Sequence, residues 1–258
     1  DLNGDGFDDV VFTQPTASDG GLNNNGRVTI LFGGNESLDS SAPVILSGTQ
    51  TSEMFGNGVA IGEFLSNGNV QLLLSSPGFD NTSRADELNH GLLSLYEWNQ
   101  TQFDLIWSAT GNAEEMLGDD VSLIDDMNGD GHLDIIAANV AQPNRVFFND
   151  GKGAFPKSTS FGGAQSPSYT VAAGDLDRDG DMDIVIGNAG QKNVIYYNEN
   201  KGTKFRSITS GQTDRTYSVK VGDLNADKFP DIVTGNSGSR NFIYLNKGTQ
   251  DQTAGILP

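Results

Sequence analysis

The 258-residue chain has no cysteine, which excludes a disulfide scaffold and thiol chemistry and leaves its compartment undecided by redox argument. Histidine is nearly absent, with only His90 and His132. Neither has a catalytic companion in sequence, so acid–base and zinc chemistry lack a carrier and the reading is non-enzymatic. Basic residues are scarce: 15 Lys and Arg stand against 34 Asp and Glu, for a net charge of −19. A phosphate-binding surface needs the opposite balance, which excludes nucleic acid as a partner. No apolar run approaches the roughly 18 residues of a membrane helix, so no transmembrane segment is expected. A start methionine and a secretory apolar segment are also missing, and Asp1 is already a candidate ligand. The chain therefore reads as a processed or excised piece of a larger protein.

What the chain does have is one nine-residue pattern written four times. Its side-chain oxygens at positions 1, 3, 5 and 9 are Asp1, Asn3, Asp5 and Asp9; Asp126, Asn128, Asp130 and Asp134; Asp175, Asp177, Asp179 and Asp183; and Asp223, Asn225, Asp227 and Asp231. A cation of calcium's size takes six to eight oxygens at about 2.3–2.6 Å, so the position-7 carbonyls of Phe7, His132, Asp181 and Phe229 complete each candidate set. Glycine at position 6 permits the tight curl between donors. An Asn-Gly or Asp-Gly hairpin turn that binds nothing is the plainer alternative. Four copies in register outweigh it.

An EF-hand would need a glutamate at position 12, where Phe12, Ala137, Ile186 and Thr234 stand instead. Short β-branched runs such as Ile184-Val185-Ile186 follow the loops, so the metal sits between strands. Four bound Ca²⁺ would take the charge from −19 to −11, and calcium is expected to raise stability. In the last loop Lys228 replaces the turn glycine and Pro230 follows, which makes residues 223–231 the weakest site.

Asp126 to Asp175 is a step of 49 residues and Asp175 to Asp223 one of 48. Each unit carries four short strands, and the longer interval after Asp1 predicts a hidden copy near residue 63. It is present from Glu63 to Gln71 with Asn67 and Gly68 retained, but Leu65 and Gln71 replace two carboxylates. This copy keeps the turn and loses the cage, so it is expected to be metal-free. Four-stranded units at this period describe an all-β fold, a β-propeller of four-stranded blades, here one domain over 1–258 with repeats centred on 1–9, 63–71, 126–134, 175–183 and 223–231.

Phe55-Gly56-Asn57-Gly58-Val59 and Leu117-Gly118-Asp119-Asp120-Val121, each just before a loop, resemble the FG-GAP repeats of integrin α-subunit propellers. The stretches from Asn144 through Asn149 to Gly151 and from Asn241 through Asn246 to Gly248 resemble the related VCBS repeats. Propellers of this kind usually have seven blades, whereas five repeats are countable here; the chain is either part of a larger propeller or a smaller closed one. The resemblance implies variable rim loops opposite the calcium loops, here residues 14–27, 77–91, 139–145, 188–193 and 236–241, that meet a protein or glycan ligand. The resulting expectation is a calcium-stabilised extracellular recognition or adhesion module. The alternative is an accessory or catalytic domain of a secreted carbohydrate- or lipid-active enzyme. Millimolar extracellular calcium suits such loops, placing the chain outside cells, at their surface, in a periplasm or in a secretory lumen. Asn35, Asn81 and Asn99 begin N-glycosylation sequons, and Trp98 and Trp107 read as packing residues rather than a sugar platform.

Overall fold

The structure, a computed structural model, describes all residues except 36, 40–41, 82–88, 125, 141, 164, 249–255 and 258, and leaves undescribed the side chains of 123, 124, 256 and 257. Among the described residues there are strands and turns but no helix. Contacts divide the chain into two compact units, Asp1–Val121 with Asn149–Ala154, and Ser122–Phe148 with Phe155–Pro258.

The strands fall into four antiparallel sheets. The first is β1 (Val10–Gln14), β2 (Arg27–Leu31) and β3 (Val44–Ser47). The second is β4 (Val59–Gly62), β5 (Gln71–Ser76), β6 (Leu92–Trp98) and β7 (Phe103–Thr110), and the third is β8 (Asp120–Ile124), β9 (Asp134–Ala138), β10 (Asn144–Phe148) and β11 (Lys157–Phe161). The fourth holds β12 (Ser168–Gly174), β13 (Asp183–Asn198), β14 (Phe205–Gly222), β15 (Asp231–Asn236), β16 (Phe242–Asn246) and β17 (Ile256–Leu257), and thus two of the five loop copies.

The long β13 and β14 differ from the separate short strands expected at 183–187 and 193–198. The cause is local. Hairpin residues themselves join the ladder, with Ala189 opposite Arg215, Gln191 opposite Asp214 and Lys192 opposite Thr213, and register shifts absorb the bends.

Burial follows strand position. All six residues of β5 and all five of β9 are buried, the polar Gln71, Ser75, Ser76 and Asp134 among them, so both faces of these strands are covered. Outer strands such as β7 and β11 largely alternate instead. In the first unit Leu2, Val28, Ile30, Phe55, Leu72, Leu74 and Phe103 form one core, with Trp98 packed 4.8 Å from Phe32 and 5.1 Å from Phe103 between ring centroids. Trp98 is thus a packing residue that ties the first two sheets. In the second unit one core gathers Met127, Ile136 and Val146 with Ile184 and Ile186, and another gathers Leu176, Val185 and Ile195 with Ile232 and Tyr244. The glycine of each FG-GAP-like motif has a packing reason: Gly56 and Gly118 have positive φ (80° and 88°), and a Cβ would lie 2.5 Å from Val28 or 2.7 Å from Leu93.

Loops 63–71, 126–134, 175–183 and 223–231 each join two neighbouring strands, whereas loop 1–9 only leads into β1. Gly62 pairs with Gln71, Gly174 with Asp183 and Gly222 with Asp231, so position 9 is the first residue of the second strand. The strand pair therefore fixes both ends of the loop.

Candidate metal centres

The five loops share one backbone path, and their own side chains hold it. Position 1 caps the curl: Asp1 Oδ1 accepts from the amides of Gly4 and Asp5 and its Oδ2 from Gly6, while Asp126, Asp175 and Asp223 accept from the position-6 amides of Gly131, Gly180 and Lys228. Position 5 accepts from the position-7 amide in all four acidic copies, at 2.9–3.0 Å. Position 6 is left-handed in every copy, as anticipated, from φ 73° at Lys228 to 97° at Gly180. Position 4 is left-handed as well, at Gly4, Ser66, Gly129, Arg178 and Ala226. The sequence does not announce that second bend, because only two of those five residues are glycine.

Carboxylates converge most closely in residues 175–183. Oxygens of Asp175, Asp177 and Asp183 all lie within 4.8 Å of one another, the only such group of three among the described residues. Asp175 Oδ1 is buried without a hydrogen-bond partner. Burial pushes the Asp183 carboxyl up to about 7, and the charges of Asp177 and Asp179 add to the shift while the amides of Asn198 and Leu176 oppose it. Asp177 is raised too, chiefly by burial and by Asp179. A ring of half-buried oxygens under mutual repulsion, with one oxygen orphaned, fits a hard divalent cation, which would relieve both conditions.

The other three acidic copies place the same atoms with one variation. Asn3, Asn128 and Asn225 donate their amide nitrogens to Asp5, Asp130 and Asp227 at 2.9–3.0 Å, leaving Oδ1 as the potential donor. In the second unit Asn128 Oδ1 is buried without a partner, as an unfilled ligand oxygen would be. The position-9 carboxylates of Asp9, Asp134, Asp183 and Asp231 each accept from the position-2 amide, at 2.6–2.9 Å. Position-2 side chains anchor the loops: Leu2, Phe64, Met127 and Leu176 are buried, whereas Leu224 is 54% exposed.

Residues 63–71 differ at the centre. Gln71 Oε1 takes the position-2 amide of Phe64 at 2.7 Å, as an aspartate would. Its Nε2 then donates to the position-7 carbonyl of Asn69 at 3.0 Å, to Glu97 Oε1 at 3.1 Å and, at 3.5 Å, to Asn67 Oδ1. An amide NH₂ group thus occupies the middle of the turn and satisfies the oxygens that would otherwise face a cation. Glu97, from β6, was not singled out in the sequence because it lies 26 residues from Gln71 and outside the motif.

His132 uses its backbone amide to bond Asp130. His90 is fully buried, with Nδ1 accepting from the Asn81 amide and its carbonyl from the Leu117 amide. It repeats the role of Asn25, whose carbonyl accepts from Phe55.

Family models match the chain where this geometry repeats: the FG-GAP repeat over residues 1–31, and the FG-GAP-like repeat over 126–186 and again over 176–234. Together they cover more than half of it. The chain belongs to the FG-GAP repeat family. FG-GAP repeat proteins are β-propellers that act as general interaction modules, are typically non-enzymatic, are associated with Ca²⁺ binding and are usually extracellular or at the cell surface. No curated protein matches the FG-GAP chain. No described helix is long and apolar enough to cross a membrane.

Proposed function

We propose that the chain is a calcium-stabilised recognition or adhesion module that works outside the cell and meets a protein or glycan ligand through its rim loops. The observation that carries this reading is the convergence of Asp175, Asp177 and Asp183 around an orphaned oxygen. Asp175, Asp177, Asp179 and Asp183, with the Asp181 carbonyl, would hold one ion, and the sets at 1–9, 126–134 and 223–231 would hold three more. Calcium there supplies charge neutralisation and rigidity; the cage joins adjacent strands and offers no reaction.

In the third and fourth sheets the ends away from the loops carry braced hairpins that suit presentation of side chains. Asn139, Asn188 and Asn236 each donate their backbone amide to the side-chain Oδ1 of the residue at i+5, Asn144, Asn193 and Asn241, at 2.8–2.9 Å. Their own Nδ2 atoms close the hairpins on the carbonyls of Pro143, Lys192 and Arg240 at 2.7–2.8 Å. Tips braced in this way hold their outward residues in place before a ligand arrives, which lowers the ordering cost of binding. A polar groove of about 380 Å³ lies beside two of the tips, lined by Gly190, Asp214, Arg215 and Ser237 to Ser239. Two residues after Arg215, exposed Tyr217 pairs edge to face with exposed Tyr169 at 5.3 Å. Hydroxyls, one carboxylate, one guanidinium and aromatic faces suit a glycan or a polar peptide.

The test is retention of the purified chain on immobilised glycans and extracellular proteins in millimolar calcium. Binding that is lost on chelation and weakened by Tyr217→Ala or Arg215→Ala supports the reading. Binding indifferent to both defeats it.

A further inference from the structure

We propose that loops 126–134, 175–183 and 223–231 are energetically coupled through two buried asparagines, Asn198 and Asn246, so that calcium in one loop raises the affinity of its neighbours. This rests on the reading of the loops as calcium sites.

Each asparagine holds two loops at once. The Asn198 backbone amide donates to Asp183 Oδ1 at 2.9 Å, while its side-chain Nδ2 donates to the carbonyl of Met127 at 3.0 Å. Asn246 does the same one repeat later: its amide donates to Asp231 Oδ1 at 2.8 Å and its Nδ2 to the carbonyl of Leu176 at 2.7 Å. Met127 and Leu176 occupy position 2, and their amides donate to the position-9 carboxylates of their own loops, Asp134 and Asp183, at 2.9 Å. A path therefore runs from Asp134 through the amide and carbonyl of Met127 to Asn198, on to Asp183, through the amide and carbonyl of Leu176 to Asn246, and ends at Asp231. Both side-chain oxygens are taken by backbone amides, Gly202 at 2.7 Å and Gly248 at 3.1 Å, which fixes the orientation of each amide group. Asn198 and Asn246 are 2% and 4% exposed.

The coupling follows from where position 2 sits. Position 9 holds the position-2 amide, and the position-2 carbonyl shares its peptide with the position-3 ligand residue, so a cation that fixes the ligands at positions 1, 3 and 9 also fixes the direction of that carbonyl. The asparagine of the next repeat bonds to that carbonyl, and its own backbone amide steadies the position-9 ligand of its own loop. Breaking a buried bond of this kind is costly, so a loose loop and a seated asparagine exclude one another. A second ion then binds a loop already ordered by the first, and the effect is reciprocal.

The three asparagines follow position 9 at a constant spacing of fifteen residues, Asp134 to Asn149, Asp183 to Asn198 and Asp231 to Asn246. Asn149 reaches the position-2 carbonyl of Phe64, at 2.7 Å, in the loop that Gln71 plugs. Loop 1–9 stands outside the path, because Gly33 takes the corresponding place and bonds Asp9 through its backbone alone, at 2.8 Å.

Hydrogen-exchange mass spectrometry of the whole chain against free calcium gives each loop its own protection midpoint. Asp177→Ala with Asp179→Ala empties loop 175–183. The midpoints of loops 126–134 and 223–231 should then move to higher calcium by about fivefold or more, the lower end of common coupling strengths, with loop 1–9 unmoved. Adding Asn198→Ala, which removes no ligand, should make loop 126–134 deaf to that change while loop 223–231 still responds. Midpoints unmoved by the aspartate substitutions overturn the coupling whatever the fate of the asparagine variant. Absence of calcium-dependent protection in every loop of the unaltered chain overturns the calcium reading itself.

Discussion

Loops 63–71 and 175–183 follow the same turn around different centres. In one, the Gln71 side chain supplies both an acceptor for the position-2 amide and an NH₂ group that binds the position-7 carbonyl and Glu97. In the other, Asp183 supplies the acceptor but no donor, and the space it leaves is walled by the oxygens of Asp175 and Asp177. The turn is thus indifferent to what fills it, and position 9 decides between an internal amide and an external cation. A glutamine there makes the loop self-sufficient; an aspartate makes it depend on the medium.

The largest way to break that contrast is to remove the ion. Each site saturated a hundredfold above its Kd contributes about 2.7 kcal/mol, so chelation across several loops should lower Tm by about 10 °C or more. Exchange protection should collapse at 175–183 and persist at 63–71. Calorimetry with and without chelator measures the first, exchange the second. Next come the two position-9 truncations. Asp183→Ala deletes a ligand and strands the Leu176 and Asn198 amides, for a loss of about 4 kcal/mol in calcium that shrinks under chelation. Gln71→Ala strands the Phe64 amide and the Asn69 carbonyl instead, while Glu97 keeps the side-chain amides of Asn67 and Asn69, for about 2–3 kcal/mol that is the same with or without calcium. Denaturant melts of the pair in both conditions compare them directly.

These outcomes depend on atoms that the sequence shows to different degrees. The five loops, their strand flanks and the all-β class were legible, because an acidic nine-residue pattern followed by β-branched runs admits few other readings. Replacement of carboxylates by Leu65 and Gln71 was legible too. The filling of the centre by Nε2 was not, since it depends on where β6 carries Glu97. The fifteen-residue spacing to Asn149, Asn198 and Asn246 was visible, but its meaning lies in contacts with the preceding repeat, 70 to 85 residues away. The separate short strands expected at 183–187 and 193–198 run on as β13 because the hairpin residues found partners in β14, a tertiary outcome that propensity does not encode.

Converting one loop into the other sharpens the comparison at smaller scale. Leu65→Asp with Gln71→Asp rebuilds the missing ligands beside Glu63 and Asn67, and Glu97→Gln removes the carboxylate that would then face Asp at position 9. The variant should lose stability in chelator and regain about 2–3 kcal/mol in excess calcium, with one added binding event by isothermal titration. A variant whose stability ignores calcium would show that more than position 9 separates the two loops.

The smallest effect concerns loop 223–231, which departs from 175–183 at position 6. Lys228 holds φ at 73° where Gly180 holds 97°. At Gly6, Gly131 and Gly180 an added Cβ would meet nothing within 4 Å, so the cost of Lys228 lies in its backbone rather than in crowding. Left-handed geometry costs a non-glycine residue about 1–2 kcal/mol, and a glycine returns roughly half of that as unfolded-chain entropy. Lys228→Gly should therefore stabilise by about 0.5–1 kcal/mol, or about 2 °C in Tm, and the loss of a nearby ammonium should tighten calcium there as well. Gly180→Lys should do the reverse to loop 175–183. Leu224 sets a limit on the repair: it is exposed where Leu176 is buried, so a glycine restores the bend but not the core anchor. If Lys228→Gly nevertheless brought the affinity of loop 223–231 level with that of loop 175–183, backbone strain and charge at position 6 would account for the whole difference, and burial at position 2 for none of it.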